Sequence, residues 1–416
     1  MKYFVIFLLN ALFIFPFEKA ECNDEPLYSG VSFHEAVAMA WAMDPIHDKL
    51  KINHHSAKAR AKAASSWFAG GPTVSGDYMD DHVIGSNEGY TTYQGGISVP
   101  LWLPGQGRST RAVADAEALS LDEEINVEHL FVSVRVLDAI LKENISYHRV
   151  MIAKENCEII RKIYSEVENG KNNGEVPETD LLMAKSAYEV AENELNSSEE
   201  EYSYSKYEIN EIIGKELHVE ISGYDNSYVS KLPFNSEKDI ENRDPRIKLS
   251  IKNVNLAEEN LKLERRSFMP NPEVGIDVIH EKQYGSPWDD RVGIHFSIPL
   301  PSAVRNVPLR SEASNRLAKA TSEEIKTRRM VHVEIMKIRE HLISSESSYK
   351  YMRSAEKDIG DRIIHQEKAW REGEVSLKSL LMSIEEYNKI KLLSMKYEFE
   401  WHAACIRILI ERGKIP

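Results

Sequence analysis

The 416-residue sequence predicts a mostly α-helical fold with a small β part, a tandem duplication in which each half holds one long coiled-coil helical hairpin and one β-hairpin. Three observations carry that expectation. Residue patterns recur at a spacing of about 200 positions, the mark of a repeat. Only 16 Pro and 20 Gly interrupt the chain, which favours long helices. Four brief segments alternate apolar and polar residues with the period of a strand.

The repeat is read first. Asp44-Pro45 recurs as Asp244-Pro245, and Phe68, Pro72, Val74 and Asp77 recur as Phe268, Pro272, Val274 and Asp277, all displaced by 200. Pro100-Leu101 recurs as Pro299-Leu300, displaced by 199. That second offset then persists from Gly174-Glu175-Val176 and Gly373-Glu374-Val375 through Leu181-Leu182-Met183 and Leu380-Leu381-Met382. A steady offset from Asp44 to Gly214 is the signature of a duplication. The expected division is a leader over residues 1–20, a first repeat over 21–222 and a second over 223–416.

The leader rests on Lys2, an apolar run from Tyr3 to Phe17 and the small Ala20, the pattern of a secretory signal peptide. The run is shorter than the roughly 20 apolar residues a membrane-spanning helix needs. Glu21 stands where a lipoprotein signal has a small residue, which disfavours acylation of Cys22.

Each repeat then opens on a helix, about 33–67 and 244–267, with Ile247, Ile251, Val254, Ala257 and Leu261 on one face. Pro245 fits a first helical turn, whereas Pro45 follows an established stripe of Ala36, Val37 and Ala40, so a kink or restart is expected there. Strands follow at about 73–80 and 92–100, and at 273–280 and 291–299. Val274, Ile276 and Val278 alternate with Glu273, Gly275 and Asp277, and Val292, Ile294, Phe296 and Ile298 with Arg291, Gly293, His295 and Ser297. Long helices are expected at about 107–168 and 302–370, returning at 178–213 and 376–412. Leu181, Ala184, Tyr188, Ala191 and Leu195 keep heptad spacing on the first return.

No window reaches 18 consecutive apolar residues, so the one way left for an exported chain to cross a membrane is a closed β-barrel. Four strands cannot close one, because roughly eight are the practical minimum; three chains would pool twelve. Apolar faces would then meet lipid and polar faces a wet lumen. On that assignment Asp77, Asp277, His295 and Gly275 face the lumen, and arginine should be tolerated better at Gly275 than at Ile276. A periplasmic coiled-coil scaffold without a pore is the alternative.

Composition removes other classes. With 52 Lys+Arg against 66 Asp+Glu and a net charge of -14, nucleic acid is not an expected partner. Cys22, Cys157 and Cys405 cannot build a disulfide framework or a four-sulfur metal site. Gly105-Gln106-Gly107 lacks the lysine and third glycine of a nucleotide loop, so any driven transport must take its energy from a partner. His54 and His55 point to different helix faces, and His34, His47 and His82 are scattered, so no catalytic, cofactor or metal site is expected.

In this order, and twice over, the duplicated Asp-Pro helix, Pro72 and Pro272 before the strands, Val99-Pro100-Leu101 and Ile298-Pro299-Leu300 after them, and the two Gly-Glu-Val segments resemble the TolC family of outer-membrane efflux channels. The resemblance spans nearly all of the chain beyond the leader. It implies a homotrimer with a 12-stranded β-barrel in the outer membrane and an α-helical barrel in the periplasm. It further implies a passive exit duct of a tripartite efflux system, passing small solutes such as metal ions or drugs. An inner-membrane pump of the proton-driven kind would expel them through a periplasmic adaptor (membrane fusion) protein. The same fold also serves type I secretion of polypeptides. Pro100 and Pro299 correspond to the junction between barrel and helices. Gly174, Val176, Leu181, Gly373, Val375 and Leu380 correspond to the periplasmic tip that docks the adaptor. Acidic side chains ring the closed entrance in family members, but here Ser379 and Met382 replace them in the second repeat. Asp180 alone remains as a candidate pore ring or as a helix-start residue. The short chain looks most like the heavy-metal resistance branch.

Overall fold

The structure, a computed structural model, describes residues 31–81, 89–216, 218–221 and 243–411. The expected leader, Cys22, His82 and the boundary between repeats at 222/223 lie outside the described residues. In chain order the elements are α1 (Phe33–Met43), α2 (Pro45–Ala63), β1 (Thr73–Asp80), β2 (Thr91–Pro100), α3 (Gln106–Asn172), α4 (Glu178–Ile213), α5 (Pro245–Arg266), β3 (Glu273–Lys282), β4 (Asp289–Ser297), α6 (Ala303–Arg371) and α7 (Leu377–Glu411).

The opening helix divides in two. Ser32 and Glu35 form a capping box at the start of α1. Asp44 then ends α1 and caps α2, its carboxylate accepting from the Ile46 N–H at 2.8 Å. Pro45 sits at the first helical position, where its missing N–H has no partner to lose. Asp244 repeats the device at α5, accepting from the Arg246 N–H at 2.8 Å. The duplicated Asp-Pro pair is thus a helix-start signal, and α2 stops at Ala63, short of the expected Trp67.

Helices α3 and α6 run for 67 and 69 residues, roughly 100 Å each at about 1.5 Å per residue. Pro308 lies inside α6, in its second turn, without ending it. Among the described residues no helix is long and apolar enough to cross a membrane.

Two larger and two smaller apolar clusters among the described residues hold the helices together. At one, Phe33 and Val37 of α1 meet Val136 and Ile140 of α3, Ile209 of α4 and Ile406 of α7. Val219 and Ile221 return to the same cluster. Their segment is tied down by the Asn144 side-chain amide, which donates to the Val219 carbonyl at 2.8 Å, and by Glu143, 2.9 Å from His218 Nδ1. The hydrogen bond from buried Glu143 holds the His218 imidazole above the ordinary histidine range. The second cluster lies at the far ends of the hairpins.

All four strands form one antiparallel sheet in the order β1-β2-β3-β4. The central β2–β3 pairing joins the two halves, and the outer edges of β1 and β4 have no strand partner among the described residues. Val74, Ile97, Ile276 and Ile294 stand side by side across the sheet, and every one of them is more than half exposed. A row of four bare aliphatic side chains is an apolar face without a cover.

Candidate functional site

The tips of the two helical hairpins are built alike. Past α3, Gly174 adopts a left-handed φ of 82°, its N–H donates to Lys171 O at 3.0 Å, and Glu175 N–H donates to Gly170 O at 2.9 Å. Past α6, Gly373 has φ 79°, its N–H donates to Trp370 O at 3.0 Å, and Glu374 N–H donates to Ala369 O at 2.9 Å. Both are Schellman stops, which need a residue free of the Cβ penalty at positive φ. The repeated glycine in Gly-Glu-Val is therefore a backbone requirement. Gly170 adds a second one: a Cβ there would come within 2.7 Å of Val176 Cγ2.

The two tips share one apolar cluster, in which Val176, Leu181 and Trp370 pack around Leu377, Leu380 and Ile384. Leu380 is 0 % exposed at its centre. It was expected as an adaptor contact, but its side chain joins the two hairpins and reaches no surface. Gly174 and Gly373 are exposed, while Val176, Val375 and Leu181 are half-buried. Arg371 reaches across to Glu166 at 3.2 Å, binding the second tip to α3.

Asp180 occupies the first turn of α4 together with Glu178, where the positive end of the helix favours carboxylates. Lys171 neutralises Glu178 at 2.6 Å. Asp180 is half-buried and makes no ion pair with another described residue. At the corresponding place in the second repeat, Ser379 Oγ accepts from the Gln366 amide at 3.1 Å.

The junction between sheet and helices is tied most firmly in the first repeat. Pro100 closes β2, accepting from the Ala69 N–H at 3.0 Å, and the Leu101 N–H donates to Pro272 O at 2.7 Å. Asn271 donates to Leu101 O at 2.9 Å and to Gln106 Oε1 at 3.0 Å, and the Gln106 amide donates back to Asn271 Oδ1 at 3.2 Å. This closed ring of amides was not foreseen. Its one sequence signal was Gly105-Gln106-Gly107, where Gly105 at φ 78° starts α3 and Gln106 is buried. Pro299 lies two residues past the end of β4, beside Leu300, which is 82 % exposed.

On the polar face of the sheet, Asp277 Oδ2 and His295 Nδ1 lie 2.6 Å apart. Two glycines clear the space: a Cβ on Gly96 would fall 2.0 Å from Asp277 Oδ1, and one on Gly275 would fall 2.4 Å from the His295 ring. The expectation that Gly275 accepts a large side chain is corrected here, since Ile97 O would also stand 2.8 Å from its Cβ. Gly293, on the same face, has nothing within 4 Å. Elsewhere His54 pairs with Asp122 at 3.0 Å, and among the described residues no three metal-binding side chains converge within one copy.

A four-stranded sheet carried on two hairpins of this length defines the fold of an outer-membrane channel. The chain is similar to CusC, a protein whose conformational changes accompany folding and transmembrane channel formation, with TM-score 0.75 and 14% identity over 93% of this chain and 95% of that one. It is also similar to the outer membrane protein VceC of Vibrio cholerae, with TM-score 0.72 and 13% identity over 92% and 96% of the two chains. The Campylobacter jejuni CmeC outer membrane channel gives TM-score 0.71 and 14% identity over 92% and 85%. No protein-family model and no curated protein sequence matches this chain. The likeness is one of fold.

Proposed function

We propose that the chain is one protomer of a non-enzymatic exit duct in the outer membrane. Three copies pool their strands into a twelve-stranded barrel and their hairpins into a periplasmic α-helical tunnel. The single observation that carries this reading is the uncovered aliphatic row of Val74, Ile97, Ile276 and Ile294 on a sheet with two open edges. In water such a sheet is marginal, and its open edges invite uncontrolled pairing. In a closed barrel the row meets acyl chains and both edges are paired.

The duct passes small solutes, metal ions or drugs among them, expelled by an inner-membrane, proton-driven pump through a periplasmic adaptor. The adaptor meets the exposed tips at Gly174 and Gly373 with Val176, Val375 and Leu181, while Leu380 braces them from inside. Three Asp180 carboxylates ring the entrance and favour cations, since charged rings set pore selectivity. The leader over 1–20 is removed on export.

Conductance of the detergent-purified protein in planar bilayers tests the proposal. Stepwise, cation-preferring channels are expected, and D180N should lower the cation preference without abolishing conductance. A protein that stays monomeric and dispersed in water without detergent, and conducts nothing, overturns it.

A further inference from the structure

Charge is distributed unevenly along this chain. Its net charge is -14, yet the four stretches that join the sheet to the helices are basic. Residues 60–72, 101–112, 262–272 and 298–311 hold nine Lys and Arg against one acid, Glu264. At the opposite end of the sheet the balance reverses: residues 80–90 and 281–291 hold six acids against two bases. All nine cations of the helix side are exposed. Three of them are paired, Arg60 with Glu117 at 2.6 Å, Arg111 with Asp115 at 3.7 Å and Lys262 with Glu259 at 2.7 Å. The other six make no ion pair with another described residue.

Part of this excess runs against the local electrostatics. Helices α2 and α5 end here, and cations at a helix C-terminus are favoured. Helices α3 and α6 begin here, with Arg108 and Arg111 near the start of one and Arg305 and Arg310 near the start of the other. Neither first turn contains an acid. Arg266 adds a further cation at α3, its Nη1 lying 3.3 Å from where a Cβ on Gly105 would stand. The positive end of a helix repels such groups, so the protomer alone gives no reason for them. An anion outside the protein does.

Aromatic side chains say what lies at this level. Trp102 Nε1 donates to Ser66 O at 2.9 Å and the Ala69 N–H to Pro100 O at 3.0 Å, which sets Trp67 and Trp102 side by side at the helix end of the sheet. Trp67 is 91 % exposed. At the other end Tyr78 and Tyr93 continue the aliphatic face of Val74 and Ile97, with Trp288 6.1 Å from Tyr93. Aromatic rings bracketing an apolar strand face mark the two headgroup levels of a membrane barrel.

Resting on the duct reading, we propose that this basic collar docks on the phosphodiester headgroups of anionic glycerophospholipids in the leaflet facing the periplasm. Guanidinium forks match phosphate oxygens, and their stems lie along apolar surface while the charge reaches the headgroups. One place for a headgroup is an open recess of about 460 Å³ beside Ala64 and Gly107, lined by Arg108 and Arg111, with Asp115 at its edge. The collar holds the barrel at a fixed depth, since Lys and Arg are attracted to an anionic leaflet only within about a Debye length of it.

Spin-labelled phosphatidylglycerol and phosphatidylcholine, each a trace in phosphatidylcholine vesicles holding the full-length protein, test the docking by electron paramagnetic resonance. Wild type should immobilise the phosphatidylglycerol label several-fold more than the phosphatidylcholine label. The excess should fade from about 0.01 M to about 1 M salt, as the Debye length shrinks from about 30 Å to about 3 Å. The variant R108Q/R111Q/R305Q/R310Q should lose most of it. Neutralising Lys154, Lys162, Lys337 and Lys357, exposed on the helices away from the sheet, should leave it unchanged. Should the arginine variant fail to assemble, the salt response of wild type decides alone. Equal immobilisation of the two labels by wild type, an excess indifferent to salt, or an equal loss in the lysine control overturns the proposal. An arginine variant that alters the ion selectivity of conductance but keeps the lipid preference places these side chains in the lumen and overturns it too. Failure of wild type to enter vesicles at all overturns the duct reading instead.

Discussion

Arginine at Ile276 is the sharpest test of which sheet face meets lipid. Ile276 sits between Ile97 and Ile294 in register, with Val274 and Val278 two residues away on the same strand face. It is 59 % exposed in the single chain, so nothing within the protomer shields a charge placed there. At the midplane of a bilayer an outward arginine costs about 2–4 kcal/mol, falling towards zero at the interfaces. In the proposed trimer this cost would be incurred three times, roughly 6–12 kcal/mol per channel, comparable with the whole stability of many folded proteins at about 5–15 kcal/mol. Arginine at Gly293 provides the control, on the opposite face and with open space around its Cβ. Gly275→Arg cannot serve, because it would collide with His295 whichever side faces lipid. The measurement is the yield of heat-resistant oligomer recovered from outer membranes. I276R should nearly abolish it and G293R should leave most of it. Equal yields, or a reversed order, would refute the face assignment.

Three further expectations concern the helical part. Leu380→Ala removes the buried centre of the tip cluster and should lower unfolding stability by about 2–5 kcal/mol in denaturant titrations monitored by circular dichroism, whereas Leu182→Ala, at an exposed site, should change it by less than about 0.5 kcal/mol. Asn271→Ala opens the amide ring at the sheet-to-helix junction and should cost about 1–3 kcal/mol in the same titration, with a change below about 0.5 kcal/mol counting against a structural role. His218 has a pKa raised by Glu143, so its contribution is complete below the unfolded value near 6.5 and is lost as pH rises through the folded value. The thermal stability of wild type over His218→Gln should therefore be largest in mild acid and shrink in mild alkali, and a constant difference would discard the ion pair.

Much of this architecture was legible without coordinates because its signals are local. Alternation at Val274, Ile276 and Val278 is set by the pleat of one strand, and the glycines of Gly174-Glu175-Val176 and Gly373-Glu374-Val375 answer a left-handed backbone at a single position. The Asp-Pro pairs declared helix starts for the same reason, although the full break between α1 and α2 needed Asp44 to cap as well as to stop. What escaped the sequence reading depends on distant segments meeting. Gln106 finds Asn271 only after the sheet has brought the two repeats together. Leu380 turns inward only because two hairpins share one cluster, so its membership of a surface motif was misleading.

The amino-acid order alone determined the duplication, the short amphipathic strands and the long helices, since each is a period or an offset that any stretch of chain carries by itself. Tertiary structure alone decided which glycines are crowded, which tip residues are internal and that Asp277 meets His295. The tip outcome rests on two hairpins packing together, the Asp277–His295 contact on the β3–β4 pairing, and the crowding of Gly96 on the register between β2 and β3, strands separated by most of a repeat of intervening chain. A shift of one residue there would turn every side chain to the other face, and no local pattern specifies it.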